Sequence, residues 1–84
     1  MTPKLSQLLN IGRQTEKWLN EAGIFTEEEL RQVGAVEAWT RIKVARPRQV
    51  SLNALYAIYG ALEGYEWDKI PEAIKEELRA EAEL

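Results

Sequence analysis

The 84 residues contain no cysteine and no histidine. Without cysteine there is no disulfide framework, no thiolate metal site and no thiol nucleophile. Without histidine, a familiar catalytic triad or zinc site lacks its usual parts. No apolar run approaches the length needed to cross a bilayer, and the start, Met1-Thr2-Pro3-Lys4-Leu5-Ser6-Gln7, lacks the long apolar core of a secretory signal. Linkers and low-complexity runs are also missing. These absences predict a soluble cytoplasmic protein that is not an enzyme, holds no metal or cofactor, and forms a single domain over residues 1–84.

What is present is ordinary for a small globular fold: 45% hydrophobic and 30% charged residues. A domain of this size buries only about 60–65% of the surface its unfolded chain exposes, so nearly every large apolar side chain is needed inside. The net charge of −3 is unevenly spread. Residues 1–50 carry eight Lys/Arg against six Asp/Glu, whereas residues 51–84 carry three against eight. Phosphate binding normally shows a basic footprint, and here any footprint is local.

The periodicity is helical throughout. Thr2-Pro3 is a start signal, and Leu5, Leu8 and Leu9 form the stripe of a first helix ending at Asn10-Ile11-Gly12, with Ile11 as a buried plug. Asn10 and Gly12 are residue types that tolerate the angles of a tight turn. A second helix runs from Arg13 to Ala22 and stops at Gly23, making a helix–turn–helix hairpin. The turn of such a hairpin can offer backbone N–H groups to a phosphate. Phe25 is placed to staple against the next helix. Thr26-Glu27-Glu28-Glu29 is a capping box, and three glutamates within one turn and no histidine nearby read as dipole chemistry, not a metal site. Leu30 and Val33 bury that helix, and Gly34 ends it. Residues 9–12 and 31–35 echo one another weakly as helix, apolar residue, glycine, new helix.

A fourth helix spans Ala35 to Ala45 and is stopped by Pro47. Its end carries the basic cluster Arg41, Lys43, Arg46 and Arg48, read either as cations at a negative helix end or as an anion-binding patch. Ser51 caps a fifth helix, Leu52 to Leu62, which is nearly all apolar and must be surrounded by protein. Tyr56 and Tyr59 inside this run read as core residues with hydrogen-bonded hydroxyls, not base-stacking platforms. Gly60 mid-helix implies close approach of another backbone, with an earlier helix as the candidate. Ile70, Ile74 and Leu78 define a last helix opened by Pro71, and the tail from Arg79 is expected to fray. Trp18, Trp39 and Trp67 build the core unless one is exposed, in which case it marks a contact surface. The fold class is therefore all-α, a compact bundle of five to six helices that contains a helix–turn–helix hairpin.

The ordered run Leu9-Asn10-Ile11-Gly12, Thr15-Glu16-Lys17-Trp18-Leu19, Gly23-Ile24, Leu30-Arg31 and Val33-Gly34-Ala35-Val36-Glu37-Ala38 resembles the C-terminal domain of TfoX/Sxy-type competence regulators. The resemblance continues through Ala45-Arg46-Pro47, Val50-Ser51-Leu52-Asn53, Leu55-Tyr56-Ala57, Gly60-Ala61-Leu62-Glu63-Gly64 and Trp67. It implies a helix-hairpin-helix, SAM-like topology and regulation of bacterial DNA-uptake genes through a protein partner, a transcription regulator or the transcription machinery, with no catalysis. Full-length members carry a preceding α/β domain, so this chain reads as the C-terminal module alone. More distantly, the turn resembles DNA-binding helix-hairpin-helix motifs, with Asn10 where those carry their first glycine. Two functions follow for testing. One is an adaptor that binds protein; the other is a weak, sequence-nonspecific DNA binder using Gly12, Arg13, Gln14 and Lys17, helped by Arg41, Lys43, Arg46 and Arg48.

Overall fold

A computed structural model describes residues 4–82. After a single 3₁₀ turn at Leu5–Gln7 come five α-helices: α1 (Arg13–Glu21), α2 (Glu27–Val33), α3 (Ala35–Ala45), α4 (Leu52–Glu63) and α5 (Glu72–Glu81). Among the described residues no strand occurs, and no helix is long and apolar enough to cross a membrane. The all-α class and the helix boundaries match the sequence reading closely.

The first helix is the exception. Only one 3₁₀ turn forms, because the backbone is already extended at Leu8 and turns left-handed at Asn10 (φ 69°). Leu5 is fully buried, but Leu9 is 44% exposed, so the three leucines do not make one stripe. The start signal at Thr2-Pro3 lies outside the described residues. Ile11 is buried as expected.

At the core lies α4, packed chiefly on α3. Leu55, Tyr56, Ile58 and Gly60 are buried, the intervening apolar residues are half-buried, and Asn53 and Glu63 alone are exposed along its length. Full burial of a Leu or Ile contributes roughly 1.5–3 kcal/mol before entropic costs, so this helix dominates the packing. The Trp39 indole is buried and donates its N–H to the Ser51 carbonyl at 3.0 Å, tying α3 to the start of α4. The Ser51 hydroxyl makes no capping bond, contrary to expectation; the serine holds the N-cap place through its backbone alone.

Caps elsewhere follow the local chemistry. The Thr26 hydroxyl oxygen accepts from the Glu29 N–H at 3.1 Å and the hydroxyl donates to the Glu29 carboxylate at 3.2 Å; the carboxylate makes no bond to the Thr26 backbone N–H, so the expected box is half made. Gly34 (φ 88°) ends α2 and starts α3 as a one-residue corner. Gly12 is extended (φ −93°), so the echo between residues 9–12 and 31–35 has no counterpart in backbone geometry. Phe25 is 58% exposed and staples nothing. Far from fraying at Arg79, α5 continues to Glu81, and the Arg79 guanidinium donates to the Tyr56 hydroxyl at 2.8 Å.

Gly60 does meet another backbone, but not that of an earlier helix. A Cβ there would collide with the carbonyl oxygen of Tyr65 in the exit turn and with the side-chain amide of Asn10. The two observations are one device. The Asn10 amide donates to the Tyr65 carbonyl at 2.8 Å and the Ala57 carbonyl at 3.3 Å, and its oxygen accepts from the Trp67 N–H at 3.1 Å. One side chain thus clasps the N-terminal turn to the end of α4 and to the loop that follows.

Candidate functional site

The hairpin residues sit at the start of α1. Gly12 is its N-cap, and Arg13, Gln14 and Lys17 are exposed. Arg13 and Lys17 lie one turn apart and have no ion-pair partner among the described residues. A Cβ on Gly12 would meet nothing within 4 Å, so the backbone there is open to approach. Two features work against a phosphate. Glu16 places a carboxylate in the first turn, where it already occupies the favourable end of the helix dipole and accepts from the Ser6 N–H at 3.0 Å. Asn10, the residue standing at the motif's first glycine, has its side chain committed to the clasp.

The second group, at the end of α3, is largely used up within the fold. The Lys43 ammonium donates to the carbonyls of Pro47 and Val50, each at 2.7 Å, and so holds the loop leading to α4. Arg41 pairs with Glu37 one turn earlier at 3.4 Å. Arg46 grips Glu21 of α1 with two bonds, 2.9 and 2.8 Å, and reaches Gln49 at 3.2 Å. Among the described residues Arg48 is the one member of this group with neither an ion pair nor a side-chain hydrogen bond. The Arg46–Glu21 pair joins the end of α3 to the end of α1, the opposite end of that helix from Gly12 and Arg13, so it does not unite the two groups. Cation chemistry at a helix end explains most of the cluster.

The hydrogen bond from Arg46 holds the Glu21 carboxyl below its ordinary range, and the same bond raises the Arg46 guanidinium. A carboxyl with a lowered folded pKa stabilises the fold above its unfolded value and loses that contribution as the pH falls. Replacing Arg46 by alanine is expected to raise the Glu21 carboxyl back toward the ordinary glutamate range, as followed by carboxyl NMR titration. The exposed pair leaves overall stability little changed.

Two recesses flank these helices. A shallow one, lined by Thr15, Trp18, Gln49, Ser51 and Trp67, is where the exposed Trp67 ring (46%) lies. Among the described residues the buried Trp18 indole N–H has no hydrogen-bond partner. The larger, about 610 Å³, opens between the α2–α3 corner, the end of α4 and α5. Among the described residues no cluster of acidic side chains is arranged to hold a metal ion.

The TfoX C-terminal domain model matches residues 1–82. The chain belongs to the TfoX C-terminal domain family. This TfoX C-terminal domain is also similar to two solved crystal structures from Listeria monocytogenes. One, described as an uncharacterized protein in a triclinic form, is 43% identical with a TM-score of 0.85, and the likeness covers 92% of this chain and 86% of that one. The other, described as a protein of unknown function in a tetragonal form, is 43% identical with a TM-score of 0.83, covering 90% of this chain and 93% of that one. No curated protein matches the sequence. The family is a regulatory type of domain and not a known enzyme family.

Sequence reasoning found the isolated cations but missed the groove and the Asn10 clasp. Signals for the groove were legible in Glu77 and Glu81, one turn apart on the last helix, and in Glu63 at the end of the apolar one. The clasp had only the unusual asparagine in the turn to announce it.

Proposed function

We propose that this TfoX C-terminal domain is a small non-enzymatic adaptor that acts in the cytoplasm by binding a protein partner in transcriptional regulation, as family membership implies for competence genes. The supporting observation is the state of its cations. Arg41, Lys43 and Arg46 are tied to internal carboxylates and carbonyls, which leaves no continuous basic stripe to follow a phosphate backbone. Meanwhile the molecule keeps large apolar groups at its surface, with Val44 77% and Phe25 58% exposed.

A second reading, weak sequence-nonspecific DNA binding, draws on one observation: Gly12 is open, and Arg13 and Lys17 have no ion-pair partner among the described residues. Both are tested by one titration of duplex DNA at low and moderate salt, set beside capture of partners by the tagged protein from native extract. The adaptor reading expects DNA affinity near the non-specific range, about 10⁻⁴ M or weaker at physiological salt. It also expects a reproducible partner retained at moderate salt. DNA binding that falls steeply with salt, and is lost alike on all sequences in an Arg13→Glu/Lys17→Glu variant, would replace it with the second reading.

A further inference from the structure

The groove of about 610 Å³ has an apolar floor, Val33, Val36, Tyr59, Leu62 and Ile74, and an acidic rim. Its volume falls in the range that accepts a few side chains of a bound segment. Two rim charges are already answered: Arg31 pairs with Glu27 and donates to the Leu62 carbonyl, and Glu37 pairs with Arg41. Three are not. Glu63, Glu77 and Glu81 line the groove without a cation partner among the described residues.

These three carboxylates stand where helix physics disfavours them. Glu63 ends α4 and Glu81 ends α5, so both sit at the negative pole of a helix. Glu77 and Glu81 are like charges one turn apart, a mildly repulsive arrangement. Among the described residues no cation compensates any of this, and one brought from outside would relieve it. The Tyr59 hydroxyl registers the same field: partial burial, then Glu63, Tyr65, Glu77 and Glu81, push its ionisation above the ordinary tyrosine range.

We propose that this groove docks a short amphipathic helical segment of a protein partner, apolar side chains on the Val36–Tyr59–Leu62–Ile74 floor and lysine or arginine against Glu63, Glu77 and Glu81. This rests on the adaptor reading and supplies the chemistry of the partner. A helix laid in a groove between helices is a recurrent mode of peptide recognition, read through anchors at i, i+3, i+4 and i+7. The field repels nucleic acid from this face.

The test uses the intact chain, isotope-labelled for NMR, and a synthetic peptide of about 11 residues, roughly three helical turns, with leucine at the anchor positions and lysine elsewhere. A second peptide has glutamate in place of every lysine. Expected are shifts confined to the groove, centred on Val36, Tyr59 and Ile74, with the lysine peptide only. A Glu63→Gln/Glu77→Gln/Glu81→Gln variant is expected to weaken it by about tenfold, the combined effect of three part-exposed charge pairs. Glu28→Gln/Glu66→Gln/Glu76→Gln, with the same net charge, should bind as the parent does, and Val36→Asp should abolish binding with the helical circular dichroism retained. The inference is overturned if the two triple variants weaken binding equally, if the shifts lie elsewhere, or if sedimentation shows the groove filled by a second copy of the chain. A partner captured from extract that still binds the Glu63/Glu77/Glu81 triple variant would sink this site and leave the adaptor reading standing.

Discussion

Asn10→Ala is expected to destabilise the domain by about 3–4 kcal/mol. Three hydrogen bonds of ordinary net worth, about 0.5–1.5 kcal/mol each, are lost at once. Asparagine is also among the few L-residues at ease in the left-handed region, and alanine there adds roughly 1 kcal/mol of backbone strain. At about 0.05–0.15 kcal/mol per residue, a domain of this size has only some 4–12 kcal/mol in total, so the loss is a large share. Urea unfolding checks it. Asn10→Gly isolates the hydrogen-bond part: it keeps the turn comfortable while removing the clasp, and is expected to cost nearer 2 kcal/mol. That variant also restores the Gly–apolar–Gly order of DNA-binding hairpins. If any form of this chain gains DNA affinity through the turn, it is this one.

Gly60→Ala is the second large effect, and its sign is the informative part. In an exposed helix interior the change would stabilise by about 1 kcal/mol. Here the new methyl would strike the Tyr65 carbonyl and the Asn10 amide. A flexible side-chain tip can swing aside, but the Tyr65 carbonyl is backbone and accepts from Asn10. Relief requires opening the exit turn, at an expected net cost of about 2–4 kcal/mol. Because both substitutions break the same contact, the Asn10→Ala/Gly60→Ala double variant should cost less than the sum of the two. Additive effects would show that the clasp and the glycine act separately.

Most of the helical architecture was legible because its signals are local. Thr26 with Glu29, Gly23, Gly34 and Pro47 each act within a turn of their own position, and the apolar run from Leu52 to Leu62 needs no partner to declare itself buried. The failures share a cause. Leu8 and Leu9 carry helical spacing, but residues 4–9 are too few to sustain a helix without strong tertiary help, and Asn10 turns the chain away. Phe25 and Ser51 belong to residue types that often staple or cap, yet the Phe25 ring stays exposed and the Ser51 hydroxyl makes no capping bond. The destination of the Asn10 side chain, 47 to 57 residues downstream, is set by packing that no local pattern encodes. The candidate site was legible in the same measure. The cations were visible as residues; which of them are engaged depended on Glu21 and the 47–50 loop arriving from elsewhere.

The single-glycine joint between α2 and α3 leaves that part of the chain with no slack. Adding or deleting one residue within the seven of α2 would swing whatever lies beyond the change by roughly 100° about the helix axis. Leu30 could then no longer face inward while Thr26 and Gly34 kept their places. Substitutions can accumulate here, but changes of length cannot, so natural length variants of this domain should differ instead past the Tyr65 and Trp67 contacts, in the segment at 68–71.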